Sequence, residues 1–381
     1  MADWLDEYDP EWIMDVLLEE TGHGKPALEV LRQAIQAADR HQDIRYMFAF
    51  RIQFCRESTF YGDGMELMVT FPELLALADK YPDQPGDRRY VFRYEAEHVM
   101  WVYKWILDNC MDFYQISLED CKKFLEDYRQ RCVRMGLSLR NYYSTMYGFY
   151  WQIDREFSEQ CFHKYEKLPR DGHSDCRACE RNMEIKFYLD REDLKKAEKL
   201  AADIESFRLT CGAREKKSAW LRMKIAYMNY YMRHGDYETA QGYAKLVGRH
   251  FSGETEYECW DDFLVCYAHT NIGKALNIYK SHWKEWMGLR CPMDAYEADK
   301  SACLFFKELQ KARKGSTVKI HYDSSFPLYR EDGQYQIADL QEFHYRRAKD
   351  IAEKFDCRNG TSYYVDKLEE SLRGELGQTT I

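Results

Sequence analysis

Tyr230-Tyr-Met-Arg-His-Gly-Asp-Tyr-Glu-Thr-Ala240 is the stretch of this 381-residue chain whose pattern says most about its structure. In it a tyrosine is followed, after four residues, by Asp-Tyr, and after two more by the small residue Ala240. Similar junctions occur at Tyr188 to Ala197 and at Cys266 to Ala275, where Asp-Leu-Lys-Lys-Ala and Asn-Ile-Gly-Lys-Ala match Asp-Tyr-Glu-Thr-Ala. A small residue early in a second helix lets that helix approach the first closely. The pattern therefore predicts pairs of helices joined by tight turns.

A weaker junction with Gly148, Trp151 and Phe157 places Gln160 at the position of the alanines. Aligned on that position, the four junctions are 37, 43 and 35 residues apart. These spacings are close to the period of about 34 residues in tetratricopeptide repeats. A helix pair of this kind cannot bury its apolar faces alone, so neighbouring pairs must stack. The sequence predicts an all-α fold: a tetratricopeptide-like helical-repeat superhelix (α-solenoid) with a small C-terminal capping segment.

An irregular helical bundle is the alternative fold. It stays open because Ile185, Met228 and Phe263 stand where the repeat usually has Gly or Ala. Either arrangement agrees with a composition that is poor in the residues that interrupt helices, with 8 Pro and 20 Gly. Both therefore belong to the all-α class.

The repeat pattern divides the chain into three segments. They are an N-terminal segment of degenerate helix pairs, the tetratricopeptide-like repeats, and an extended segment with a C-terminal capping helix, at residues 1–139, 140–312 and 313–381. In the last segment Ser316–Tyr322 alternates like a short strand. Asp339–Phe355 has a helical pattern, and Asn359-Gly360 predicts its left-handed C-terminal end.

Charge and hydropathy exclude several classes of partner. The chain has 55 basic and 65 acidic side chains, a net charge of −10, so it lacks the basic surface that nucleic-acid binding requires. Apolar runs such as Phe263–Ala268 are far shorter than the roughly 18–20 residues of a membrane-spanning helix. The acidic N-terminus lacks the pattern of a signal peptide, and thirteen scattered cysteines indicate free thiols in a reducing compartment. We expect a cytoplasmic protein whose partner is a protein or peptide.

Cys176 and Cys179 form the most specific local motif. Three residues apart on a helix, they share a face, so both thiolates can reach one metal ion. Cys211 follows 35 residues after Cys176, at a distance that stacked repeats would bring close, and His173 is the natural fourth ligand. The sequence thus offers a structural zinc site as its only candidate cofactor site.

Two other interpretations of the same cysteines remain open. Ser174 or Asp175 can cap a helix whose first turn carries the thiols, where a cysteine pKa is lowered and redox chemistry becomes possible. No thioredoxin-like βαβ pattern surrounds the pair, however. The thiols can also be small side chains that simply pack between two repeats.

A helical-repeat array binds ligands along the face lined by the first helix of each pair. In the alignment Asn182, Lys186, Asn229 and Arg233 occupy groove-facing positions, and Trp260 stands at the equivalent position further on. Asparagines can hold a peptide backbone, cations can hold a carboxylate, and a tryptophan can anchor an apolar side chain. The alternative is that these are ordinary polar surface residues.

The sequence carries no phosphate-binding glycine loop, no metalloprotease motif and no nucleophile elbow. We therefore predict a non-enzymatic scaffold or adaptor that binds a protein or peptide. Two alternatives are a zinc-binding or thiol-redox protein that uses Cys176, Cys179 and Cys211, and a regulatory repeat module that senses a ligand.

Four short motifs together resemble a family of bacterial tetratricopeptide-repeat proteins of unassigned function. They are Ser174-Asp-Cys-Arg-Ala-Cys-Glu180, Arg208-Leu-Thr-Cys211, Pro327-Leu-Tyr-Arg-Glu-Asp-Gly-Gln-Tyr335 and Phe355-Asp-Cys-Arg-Asn-Gly-Thr361. The resemblance covers about residues 140–365 and implies a helical-repeat fold in a bacterial cytoplasm, with no activity to carry over. It favours treating the three cysteines as one set and draws attention to Asp356, Arg358 and Asn359. These three residues either tie a turn to the preceding repeat or bind a ligand.

Overall fold

The computed structural model describes residues 8–62, 64–81, 92–211, 217–250 and 260–373, and only the backbone of residues 92–98. Helices account for about three quarters of the described residues. Two short strands are the only sheet among the described residues. The predicted all-α class is therefore confirmed. The chain forms two compact units, Met1–Ser174 and Asp175–Ile381, and the predicted limits at residues 139 and 312 lie inside the first and second units.

The described helices of the first unit are α1 (Pro10–Trp12), a π-helical turn (Ile13–Leu17), α2 (Leu18–Thr21), α3 (Lys25–His41), α4 (Ile44–Tyr61), α5 (Leu67–Lys80), α6 (Phe92–Asp112), α7 (Leu118–Arg134), α8 (Arg140–Tyr150) and α9 (Arg155–Lys167). Within this unit α3 packs on α4, α8 packs on α9, and α6 contacts α4, α5, α7 and α8. Sequential helix pairs around a shared central helix therefore form this unit.

The described elements of the second unit are α10 (Arg177–Asp190), α11 (Leu194–Glu205), α12 (Ser218–Arg233), α13 (Tyr237–Gly248), α14 (Trp260–Thr270), α15 (Ile272–Met287), α16 (Pro292–Ala312), β1 (Thr317–Lys319), β2 (Gln334–Gln336), α17 (Ile337–Asn359) and α18 (Tyr363–Arg373). Helices α10, α12 and α14 each pack on the helix that follows them. Each also packs on the next first helix, so that α10 contacts α12, α12 contacts α14 and α14 contacts α16.

The start of each second helix has the same local structure in the second unit. The residue before the helix accepts a hydrogen bond from the amide three residues later, at 3.0, 3.1 and 3.0 Å for Asp193, Asp236 and Asn271. Such a cap satisfies one of the backbone N–H groups that a helix leaves unpaired at its N-terminus. The residue four positions after each cap is a fully buried alanine: Ala197, Ala240 and Ala275. The predicted junctions are therefore real helix boundaries, each followed by a small, fully buried residue.

The fourth junction corrects the predicted register in the first unit. Asp154 caps α9 by accepting a hydrogen bond from the Phe157 amide at 3.0 Å. Four residues after this cap stands Ser158, which is fully buried and donates its hydroxyl to the Tyr147 carbonyl at 2.6 Å. Gln160, predicted at the alanine position, is exposed. The position next to the first helix needs a small side chain, and counting from the cap identifies it as Ser158.

The C-terminal part of the second unit follows the sequence pattern closely. Strands β1 and β2 pair antiparallel, with Val318 opposite Tyr335. Helix α17 begins two residues before the predicted Asp339 and ends at Asn359. Gly360 then has a φ of 70°, the left-handed conformation that glycine adopts without steric cost. The predicted strand, helix and helix stop are all confirmed.

A buried polar network joins α15, α16, α17 and the segment after β1. His344 Nδ1 lies 2.6 Å from Asp299 Oδ1, and its Nε2 lies 2.7 Å from the Tyr279 hydroxyl. Tyr322 donates to the Tyr279 hydroxyl at 2.9 Å, and Arg347 donates to Asp299 Oδ2 at 2.8 Å. Burying a polar group costs free energy unless it has a partner, so this chain of partners fixes how the four segments meet.

No described helix combines the length and the apolar character that a membrane span requires.

Replacing Ala240 with Leu tests the close approach between α12 and α13. Ala240 is fully buried, so the larger side chain has to separate the two helices or adopt a strained rotamer. We expect Ala240→Leu to lower the free energy of unfolding by about 1–3 kcal/mol. Urea denaturation followed by circular dichroism measures the change.

Lys245→Leu on the same helix is the matched control, because Lys245 is exposed and has room for the new side chain. Its free energy of unfolding should stay within about 0.5 kcal/mol of the original chain. Equal stability of the Ala240→Leu variant and this control would mean that α12 and α13 do not pack closely at Ala240.

Candidate functional site

Three cysteines of the second unit come together at the N-terminus of α10. The sulfur atoms of Cys176, Cys179 and Cys211 all lie within 4.8 Å of one another. The sulfurs of Cys179 and Cys211 are 3.9 Å apart. None of these three thiols is in a disulfide; Cys211 is buried, and Cys176 and Cys179 are partly exposed. The predicted grouping of these three cysteines is present in the structure.

The cap of α10 differs from the predicted one. Neither Ser174 nor Asp175 occupies the cap position; Cys176 does, and its sulfur accepts from the Cys179 amide at 3.4 Å. Ser174 instead belongs to the first unit, where its hydroxyl contacts Asp171. A sulfur in the cap position points toward the positive end of the helix dipole, which favours negative charge there.

Arg222, near the start of α12, adds a positive charge to the cysteine cluster. Its NH2 nitrogen lies 3.4 Å from Cys179 Sγ. The Arg222 Nε is buried without a hydrogen-bond partner, and no carboxylate in the described part of the chain pairs with this side chain. Arg222 as a whole is partly exposed, but a buried nitrogen without a partner is costly, and a nearby anionic group would lower that cost. Cys179, whose sulfur contacts this guanidinium, can supply negative charge as a thiolate.

The acidity of Cys179 bears on its chemistry. Burial raises the pKa of this thiol to about 12, and the neighbouring Cys176 adds to the rise while Arg222 opposes it. Redox-active cysteines have pKa values well below the ordinary value of about 8.5. Cys179 therefore departs from the pattern of a reactive thiol and needs a strong local positive charge to ionise.

His173, the predicted fourth ligand, lies in the first unit and is buried there. Its Nε2 is 2.8 Å from the Tyr128 hydroxyl, which also donates to Asn141 Oδ1 at 2.8 Å. Its backbone carbonyl accepts from Lys104 Nζ at 2.7 Å. The imidazole is thus part of a buried hydrogen-bond network in that unit.

Two of the predicted groove residues link first helices to one another. Asn182 on α10 is buried and donates to the Ala219 carbonyl on α12 at 2.9 Å. Arg233 on α12 forms a salt bridge with Asp190 on α10 at 2.5 Å. Both side chains therefore have partners within the chain, and both connect α10 with α12.

Asn229 makes the corresponding link between α12 and α14. Its amide donates to Asp262 Oδ1 at 2.8 Å. Lys186, on α10, is exposed, and its charge acts on Asp262, as does the charge of Lys300 on α16. Charged and amide groups from four successive first helices thus lie near one another, and we call Lys186, Asn229, Arg233, Asp262 and Lys300 the polar row.

Trp260 begins α14 and is partly exposed. Its ring stacks on His282 of α15, with centroids 4.4 Å apart and planes at 23°. Its ring also lies next to the ring of Phe263 on the same helix, with centroids 5.8 Å apart. One ring face is therefore covered by the chain itself.

Asp262 has an unusual acidity for an aspartate. Burial raises its pKa to about 6, and the hydrogen bond from Asn229 opposes the rise. The pKa of the adjacent Asp261 is also raised, by burial and by the carboxylates of Asp262 and Glu297. Asp262, the carboxylate of the polar row, is therefore poorly solvated and close to the carboxylate of Asp261.

Asp356, Arg358 and Asn359 have clear partners within the C-terminal helices. Asp356 is buried, and its Oδ1 and Oδ2 accept from the amides of Tyr364 and Val365 at 3.0 and 2.9 Å. Arg358 donates to the Asn359 side-chain oxygen at 2.9 Å. Asp356 thus caps the start of the following helix α18, whereas the sequence suggested that it ties the turn to the preceding repeat.

Several residues of these sites have no signal in the sequence. Arg222, Asp190 and Asp262 are single charged residues in helices that carry many charges, and no spacing marks them. They become visible only when the packing of α10, α12 and α14 brings them to partners 43 or 33 residues away.

Comparison of the chain with protein-family models, with curated proteins and with solved structures finds no match.

Asp262→Asn tests the poorly solvated carboxylate of the polar row. The folded-state pKa of Asp262, about 6, lies above the value of about 3.9 in an unfolded chain, so ionisation of this group disfavours folding. Below about pH 4 the Asp262 carboxyl is neutral in both states and costs no stability. As the pH rises through 6 the carboxyl ionises in the folded protein, and the stability associated with the neutral form is lost. Asparagine keeps the shape and an oxygen for Asn229 but never ionises.

We expect the Asp262→Asn variant to be more stable than the original chain at pH 8, by on the order of 1 kcal/mol after discounting for partial exposure. The advantage should vanish near pH 4. Urea denaturation at both pH values measures it. A stability difference that is the same at pH 4 and pH 8 would contradict the raised pKa.

Asp356→Asn tests the cap of α18. An asparagine can keep only one acceptor oxygen and presents its NH2 group to a backbone N–H. We expect a loss of about 1–3 kcal/mol in the free energy of unfolding, measured by urea denaturation. Asp350→Asn on α17 removes an exposed salt bridge with Lys354 and should cost less than about 0.5 kcal/mol. Equal costs would argue against the cap.

Proposed function

We propose that this chain is a tetratricopeptide-like helical-repeat protein that binds an extended segment of another protein or peptide along its first helices. The repeat assignment rests on the helix pairs of the second unit. Each pair shares a capped second helix and a buried alanine, and each first helix packs on the next. This is the packing order of helical repeats, in which neighbouring pairs bury the faces that one pair cannot.

The polar row is the observation that carries the binding proposal. It offers the Asn229 amide and both signs of charge on α10, α12, α14 and α16, within reach of one another. An extended peptide presents a regular series of backbone donors and acceptors with side chains between them, and successive first helices provide a matching series of contacts. The net charge of −10 favours such a partner over nucleic acid.

The salt bridge of Arg233 and the hydrogen bond of Asn229 are compatible with ligand binding. Arg233 pairs with Asp190, and Asn229 with Asp262, but all four side chains are only partly buried. Partly exposed pairs of this kind contribute about 0–1 kcal/mol. A peptide carboxylate or amide can therefore replace one partner at little cost in free energy. Lys186 is exposed, so a ligand can contact it without first breaking a buried contact.

Peptide selection tests this proposal with no need to name a partner beforehand. A library of random peptides displayed on phage is selected on the immobilised full chain, and enriched peptides are titrated by fluorescence anisotropy. We expect Lys186→Glu to weaken the binding of the enriched peptides by about tenfold or more, because it reverses a charge on the first-helix face.

Lys199→Glu is the matched control, since Lys199 is also exposed but lies on the second helix α11. Its affinity should stay within about twofold of the original chain. The proposal fails if no peptide is enriched, or if both charge reversals weaken binding equally.

A further inference from the structure

We propose that Cys176, Cys179 and Cys211 bind one zinc ion as three thiolates, with Arg222 balancing the charge of the site. The inference is independent of the peptide-binding proposal, because it uses none of the polar row. It rests on the positions of the three sulfurs and of one guanidinium.

The separations of the three sulfurs are close to those around a zinc ion, so the side chains would need to move little to bind one. A tetrahedral zinc with Zn–S bonds of about 2.3 Å holds its sulfurs about 3.8 Å apart. Cys179 and Cys211 are already 3.9 Å apart, and no pair of the three exceeds 4.8 Å. A disulfide would need a sulfur separation of about 2.05 Å, so the three sulfurs stand too far apart for a disulfide but close enough to share one ion.

The charges of the site also fit. Three thiolates around a divalent cation carry one net negative charge, and the Arg222 guanidinium 3.4 Å from Cys179 Sγ neutralises it. This arrangement gives Arg222, whose Nε is buried without a hydrogen-bond partner, an anionic group beside its guanidinium. The positive end of α10, where Cys176 is the cap, favours the same charge.

Zinc would bind with the release of one proton from each thiol that is neutral beforehand, and no oxidant is involved. The fourth position is open to water or another small donor, since Cys176 and Cys179 are partly exposed. The ion would tie the start of α10 to the segment after α11, and through Arg222 to α12. Its role is therefore to fix the junction between two helix pairs.

Metal analysis of the full chain tests the site. Protein purified under reducing conditions without chelator is examined by native mass spectrometry and by inductively coupled plasma mass spectrometry. We expect about one zinc per chain, and its loss in the Cys176→Ser/Cys179→Ser variant. Cys357→Ser is the control, because Cys357 is an exposed free thiol outside the cluster, and it should keep the zinc.

Arg222 is tested as a positioning residue by comparing two variants. Arg222→Met removes the charge and should weaken zinc affinity about 10-fold, as loss of an outer contact commonly does, whereas Arg222→Lys should recover part of it. Competition with a chromogenic chelator measures both affinities. Equal affinity in the original chain and in Arg222→Met overturns the charge-balancing role.

A measurement on the unmodified sequence covers the case in which a cysteine variant does not fold. Alkylation of the metal-free chain, mapped by mass spectrometry with and without added zinc, should show protection of Cys176 and Cys179 and none of Cys357. Cobalt added to the metal-free chain should give a thiolate-to-cobalt charge-transfer band. No zinc in the purified chain together with no protection, or binding of copper(I) alone, overturns the proposal.

Discussion

The structure of the second unit depends on the close approach of two helix backbones at each hairpin. Ala197, Ala240 and Ala275 are fully buried, and each stands four residues after a capped helix start. A methyl group at this position lets the second helix lie against the first, but a single pair still leaves apolar faces uncovered. The following helix pair covers them. The order of packing along the chain is a consequence of that local contact.

This dependence explains which parts of the fold are predictable. A cap, a turn and a small residue lie within about ten positions of one another, so their pattern is visible in the sequence. The aromatic spacing nevertheless indicates Gln160 instead of Ser158, because it is a weaker guide to register than the cap itself. The network of Asp299, His344 and Tyr279 joins residues 45 and 65 positions apart, and no local pattern predicts such pairs.

The cysteine cluster is predictable for a similar reason, and only in part. Cys176 and Cys179 are one helical turn apart, and the repeat spacing indicates that Cys211 lies near them. The partner of the cluster, Arg222, is one arginine among many and has no pattern to mark it. The sequence marks Asn229 and Arg233 as candidate binding residues. It does not reveal which residues they contact, because their acidic partners lie on neighbouring helices.

The cysteine cluster and the polar row are related through one helix. Cys176 caps α10 and Lys186 lies ten residues further on, which at 1.5 Å per residue separates them by about 15 Å. An ion at the start of α10 is therefore too far away to contact a ligand held at Lys186. It can act on such a ligand only by fixing where α10 lies against α12. Asn182 and Arg233 bridge the same two helices, so they and the metal would all hold α10 in place against α12.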